Sequence, residues 1–188
     1  MTMFQALCIG SFAMLAALQG KSNPDFKYDE KAGVSIQKFP KNDEWDFKDM
    51  GMFAKAPKLV VSNKVDELWI EVVQAPPAPN TSGWDLKKQI ELDYAGLSGD
   101  KNLSEVKQVA MQPSKLPLGG GNGANAIFCH ATFKFMDKAM EKREWAFVGK
   151  ENQCLYVVMV TGDDGNYKKH QKIVDFILGQ IKTYKIPK

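Results

Sequence analysis

The stretch Ala124–Tyr184, ANAIFCHATFKFMDKAMEKREWAFVGKENQCLYVVMVTGDDGNYKKHQKIVDFILGQIKTY, decides how this chain folds. Neighbouring side chains of a strand point to opposite faces. Over Ala126–Phe135 this places Ile127, Cys129, Ala131, Phe133 and Phe135 on one face, and Phe128, His130, Thr132 and Lys134 on the other. Glu144–Val148 reads as a second strand. Cys154–Thr161, CLYVVMVT, is apolar on both faces, which marks a central strand covered from both sides. From Asn166 to Tyr184 the spacing becomes helical: Tyr167, His170, Val174, Ile177, Ile181 and Tyr184 form a stripe widened by Ile173 and Leu178. Asp163 or Asp164 supplies the cap. The stretch is an antiparallel meander closed by one amphipathic helix.

Working back from it, Gly33–Phe39 alternates and stops at Pro40, and Trp45–Phe47 makes a short strand. Lys58–Ser62 and Glu67–Gln74 form a hairpin across Asn63–Asp66, ended by Pro76, Pro77 and Pro79. Ser82 and Asp85 have the capping-box spacing that opens a helix. Its stripe is Leu86, Ile90, Tyr94 and Leu97, with Lys87, Lys88, Glu91 and Asp93 directed away from it, and Gly96 and Gly99 stop it. Leu103–Met111 is a weaker, bulged strand, and Pro113–Gly123 reads as a loop. Two helices so far apart in sequence bury their stripes on the sheet. The order ββββαββββα therefore describes an α+β fold: a mainly antiparallel sheet flanked by two helices, an α/β/α sandwich.

The chain has 188 residues, enough for one domain with a real core. Its 25 basic and 22 acidic residues are interspersed, so the net charge of +3 forms no block of like charge. That removes the footprint which nucleic acid or a polybasic membrane patch requires. Residues 1–20 hold no charged side chain, and the apolar run Phe4–Leu18 is shorter than the roughly 20 residues of a membrane span. It has the length of a secretory leader, cleaved after Gly20, that leaves residues 21–188 as a single domain, secreted or periplasmic and without a transmembrane segment. The alternative is a buried N-terminal helix or an uncleaved interfacial anchor. Cys129 and Cys154 then remain. They sit on the first and third strands of the meander, roughly 9–10 Å apart, beyond the about 7 Å that a disulfide bridges. They read as two small buried residues.

The segments GVSIQKFPKNDEW (Gly33–Trp45) and CLYVVMVTGDDGNYKKHQKIVDFILGQIK (Cys154–Lys182) resemble the start and close of PsbP-like domains. The element order between them is similar to the wider α/β/α fold shared with the Mog-type proteins and with exported bacterial domains. The resemblance implies a scaffold that docks onto other macromolecules and rarely catalyses. It carries no site residue with it.

Candidate sites are few. The run Gly119–Asn125, GGGNGAN, precedes a strand, whereas a phosphate loop opens a helix. Cys129 and His130 face opposite sides, so they make neither a metal pair nor a thiolate–imidazole pair. A metal site of His130 and His170, completed by Asp163 or Asp164, is the geometric alternative, against ordinary packing for each histidine. Asp163-Asp164 also fits charges placed at a helix start. Trp45, Phe47, Phe53 and Trp69 cluster in the first half, either as core or as anchors for a partner. No catalytic residue and no cofactor motif emerges. The expectation is a non-enzymatic exported module that binds a protein or cell-envelope component. A small-ligand or metal-binding protein with a pocket between sheet and closing helix is the second reading.

Overall fold

Cys154–Thr161 is buried at every position, and the other elements are arranged around it. The computed structural model describes residues 26–29, 33–37, 45–46, 58–63, 68–75, 83–119, 123–162 and 164–185; at 26–29, 37, 46, 58–62 and 164–165 the description is of the backbone alone. In chain order the elements are β1 (Phe26–Asp29), β2 (Val34–Gln37), β3 (Trp45–Asp46), β4 (Lys58–Asn63), β5 (Trp69–Gln74), α1 (Leu86–Ser98), β6 (Leu103–Leu116), β7 (Ala124–Phe135), β8 (Lys138–Val148), β9 (Cys154–Thr161), α2 (Asp164–Gln180) and β10 (Ile181–Thr183). A seven-stranded sheet runs β3-β4-β5-β9-β8-β7-β6, and a three-stranded sheet runs β1-β2-β10. Every pairing is antiparallel.

The central position of β9 explains its composition. Leu155, Val157 and Met159 join Ile70, Val72 and Phe147 on one face, where they meet Val174, Ile177 and Leu178 of α2 and Val34, Ile36 and Ile181 of the small sheet. Tyr156, Val158 and Val160 join Cys129, Ala131 and Phe133 on the other, beneath Ile90 and Leu97 of α1. Each such side chain, fully buried, contributes about 1.5–3 kcal/mol. One helix covers each face, as the apolar pattern of β9 requires. Among the described residues no helix is long and apolar enough to cross a membrane.

Several boundaries differ from the expectation, each for a physical reason. The closing helix ends at Gln180, just past Gly179, a poor helix former. The chain then pairs Ile181 with Ile36 and Thr183 with Val34. Ile181 is buried as expected, but on a strand. The Pro113–Gly123 loop begins only after Leu116, because β6 runs through Pro113, opposite Ile127. An edge strand has one unpaired side and tolerates the missing N–H. The bulged reading of β6 holds: its register shifts between Ser104 and Lys107 and between Gln108 and Ala110. Strand β8 starts at Lys138, earlier than Glu144, across a two-residue turn in which Met136 and Asp137 have φ of 48° and 63°. Asp85 caps α1 by accepting the Lys88 N–H at 3.0 Å; Ser82 lies outside the described residues. Asp93, placed by its polarity on the outer side of α1, is buried. The leader lies outside the described residues.

Candidate functional site

Strand β8 carries the run Glu141-Lys142-Arg143-Glu144-Trp145, and alternation sends these charges to both faces of the sheet. On the α2 side, Glu141, Arg143 and Trp145 stand beside Thr132, His130 and Phe128 of β7, their register partners. The Glu141 carboxylate is the hub. Its Oε2 lies 2.8 Å from His130 Nε2 and accepts from Arg143 Nε at 3.3 Å and Nη2 at 3.2 Å. Its Oε1 accepts from the Thr161 hydroxyl at 3.5 Å. The Arg143 guanidinium lies 3.7 Å over the ring of Tyr167, from the first turns of α2. Burial pushes the Tyr167 phenol up, against the opposing pull of Arg143. One step along the strands, Phe128 and Trp145 meet with ring centroids 5.0 Å apart.

The result is a shelf of aromatic and charged side chains on interior strands, half-buried at Phe128, His130, Arg143, Trp145 and Tyr167, with Glu141 shut beneath them. The charged groups are locked by bonds to one another, so the shelf is pre-shaped. Chemically it offers ring faces and cation donors, the composition of protein-contact hot spots.

The opposite face of β8 is different. Lys142 Nζ bonds Asp93 Oδ2 of α1 and lies 2.9 Å from Glu144 Oε2, with all three side chains 3–4 % exposed. Burial opposes the Lys142 charge, but the two carboxylates outweigh it and hold the ammonium above its ordinary range. Burial, with Asp93 adding to it and Lys142 opposing, pushes Glu144 up to about 8. Cys129 and Cys154 are free and buried on this same side, their thiols pushed up by burial to about 11 and about 12. At the start of α1, Trp84 donates its indole N–H to the Asn152 carbonyl at 2.6 Å beside a shallow groove of about 420 Å³.

The residues singled out from sequence fall in different places. His130 is held by Glu141, whereas the ring of His170 meets Trp45 of β3 edge-on at 5.7 Å. Strands β3 and β7 stand five places apart in the sheet. Asp164 is the first residue of α2, and Asp163 lies outside the described residues. Among the described residues no three His, Cys, Asp or Glu side chains converge as a metal would need. Trp45 is 3 % exposed and packs the α2-side core. Trp69 is half-buried against the α1-side core, and Phe47 and Phe53 lie outside the described residues. Glu141, Arg143 and Trp145 are the members of the shelf that sequence reasoning did not find. Their signal was the alternation of charge within EKREW, read as strand only from Glu144 onward.

No family model and no curated protein matches the chain. Solved structures do. The solution structure of cyanobacterial PsbP (CyanoP) from Synechocystis sp. PCC 6803 matches with a TM-score of 0.55 at 9% identity, covering 90% of this chain and 99% of that one. A crystal structure from Bacteroides thetaiotaomicron VPI-5482 gives 0.51 at 13% identity, covering 86% of this chain and 48% of that one. LpqN of Mycobacterium tuberculosis, a protein involved in cell envelope biogenesis, gives 0.44 at 11% identity, with 81% and 83% covered, too low a score to carry a common fold. Likeness at such identities concerns architecture alone. The chain has a PsbP-like α+β fold.

Proposed function

We propose that this protein is an exported, non-enzymatic binding module that docks onto a protein of the cell envelope through the α2-side shelf of β7 and β8. The observation that carries the reading is the shelf itself. Phe128 and Trp145 pair beside the Arg143–Tyr167 stack on strands interior to the sheet, half-open to solvent, with the charges pre-ordered by Glu141. Rigid aromatic and arginine side chains lose little freedom on binding and dominate contact energy. The PsbP-like fold and the apolar run Phe4–Leu18 support an exported setting, periplasmic or secreted.

The test is site-specific photo-crosslinking in cells of the host, with the photoreactive residue placed at Thr132, between His130 and Lys134 on the shelf. One discrete protein adduct is expected, falling about tenfold in Trp145→Ala and Arg143→Ala. A probe at Leu92, on the exposed side of α1, is expected to give none. An adduct indifferent to both substitutions, or formed equally from Leu92, refutes the docking surface. Fractionation of the same cells tests export separately: the mature chain is expected to begin at Lys21 and to lie outside the cytoplasm.

A further inference from the structure

Beneath α1 lies a second charged group, which the docking shelf does not involve. Lys142 and Glu144 point inward from β8, and Asp93 falls between Ile90 and Leu97 on the buried stripe of α1. The three form one contact chain, Asp93 to Lys142 to Glu144, enclosed by the apolar layer of Ile90, Leu97, Cys129, Ala131, Tyr156 and Val158. Two carboxylates share one ammonium. With all three ionised the group carries a net negative charge in a setting that tolerates charge only when it is balanced. One added proton makes the sum zero.

Among the described residues, Lys142 is the cation that Asp93 and Glu144 contact. Cys129 of β7 is the register partner of Glu144, and Cys154 and Tyr156 come from β9; burial holds all three groups protonated through the neutral range. Glu71 of β5, a further carboxylate, lies on the same face, across Val158 from Glu144. Glu105, Lys107 and Lys115 of β6 are exposed. Two further polar ties of the α1 region to the sheet side are neutral: Trp84 to the Asn152 carbonyl, and the Tyr156 hydroxyl to Gln89 at 3.4 Å.

We propose that Asp93, Lys142 and Glu144 form a proton-linked latch that seats α1 on the sheet. With one proton on the carboxylate pair the group is neutral and the helix is held. Without it, the excess negative charge under α1 favours the helix lifting into water. Burial raises Glu144 from near 4.5 to about 8, in the direction this requires. The sign follows: the closed form keeps a proton that the open form releases. The latch is therefore fully set below the ordinary carboxylate range, and it is lost as pH rises towards about 8.

Amide hydrogen exchange of the full chain, read by NMR across pH 5–9 with β9 amides as internal reference, tests the latch. Opening of α1 relative to β9 is expected to rise by up to about tenfold per pH unit until it levels near the titration of Glu144. Glu144→Gln is expected to flatten that slope. A ratio that stays constant in the wild type, or a slope that survives in Glu144→Gln, overturns the proposal. Should the variant fail to fold, direct titration of the Glu144 carboxyl by ¹³C NMR in the wild type decides: a midpoint in the ordinary carboxylate range rejects the latch, and one well above it sustains it.

Discussion

The two sides of β8 draw on the same five-residue run and put it to different ends. Lys142 and Glu144 face α1 and are sealed; Glu141, Arg143 and Trp145 face the α2 side, and two of those three keep a half-open surface. The difference lies in coverage. Helix α1 lies across β6, β7 and β8, whereas α2 lies over β9 and the small-sheet strand β2. Among the described residues, α2 therefore covers little of the β7–β8 part of its face, where Tyr167 reaches Arg143. A charge under α1 has to be neutralised within the protein. A charge on the open side can be shared with a partner.

Substitution of the two neighbouring cations puts the sharpest strain on this contrast. Lys142→Met leaves Asp93 and Glu144 buried without their counter-charge and is expected to cost about 3–5 kcal/mol in chemical denaturation. Arg143→Met removes bonds to Glu141 at a half-exposed position and is expected to cost about 1–2 kcal/mol. Equal costs would erase the distinction between the faces. The pH course separates them next. Because the folded state raises Glu144 to about 8, the stability it lends is present in acid and falls as pH rises from about 5 to 8. The denaturant midpoint of the wild type should follow that fall. Glu144→Gln should remove it, and Glu141→Gln on the open side should leave it in place. The smallest effect concerns chemistry alone. Cys129 and Cys154 are buried thiols pushed up to about 11 and about 12, so at pH 8 a maleimide should label them in the native protein about a hundredfold and about a thousandfold more slowly, respectively, than in the unfolded chain. Rapid labelling of Cys129 in the native protein would mean that the α1 side is open after all.

Where burial follows apolarity, the sequence was readable. CLYVVMVT announced a strand covered on both faces, and the stripes of Ile90 and Leu97 and of Val174, Ile177 and Leu178 announced one helix for each face. The facing of β7, with Cys129 towards one core and His130 away from it, also followed from alternation. Tertiary context hid the rest. Ile181 continues the helical stripe of α2, yet the partner it meets is the edge of β2, which lies far away in sequence. Lys138–Arg143 is too charged to read as sheet interior, because charge normally marks exposure. There the charges are matched instead by Asp93 across the interior and by one another on the shelf. Asp93 had no local cue, since its partner is on another element. Of the aromatics read as either core or partner anchors, Trp45 is buried in the α2-side core and Trp69 is half-buried against the α1-side core.

The pairing of β10 with β2 has a consequence for how the chain is made. Residues 34–37 wait for residues 181–183 before the three-stranded sheet can close, and Gly33 receives the Tyr184 N–H only then, at 3.0 Å. The α2-side core, which includes Val34, Ile36 and Ile181, is incomplete until Ile181 is in place. Contacts of such long sequence separation form late and slowly. The same short strand that completes the α2-side core also postpones it.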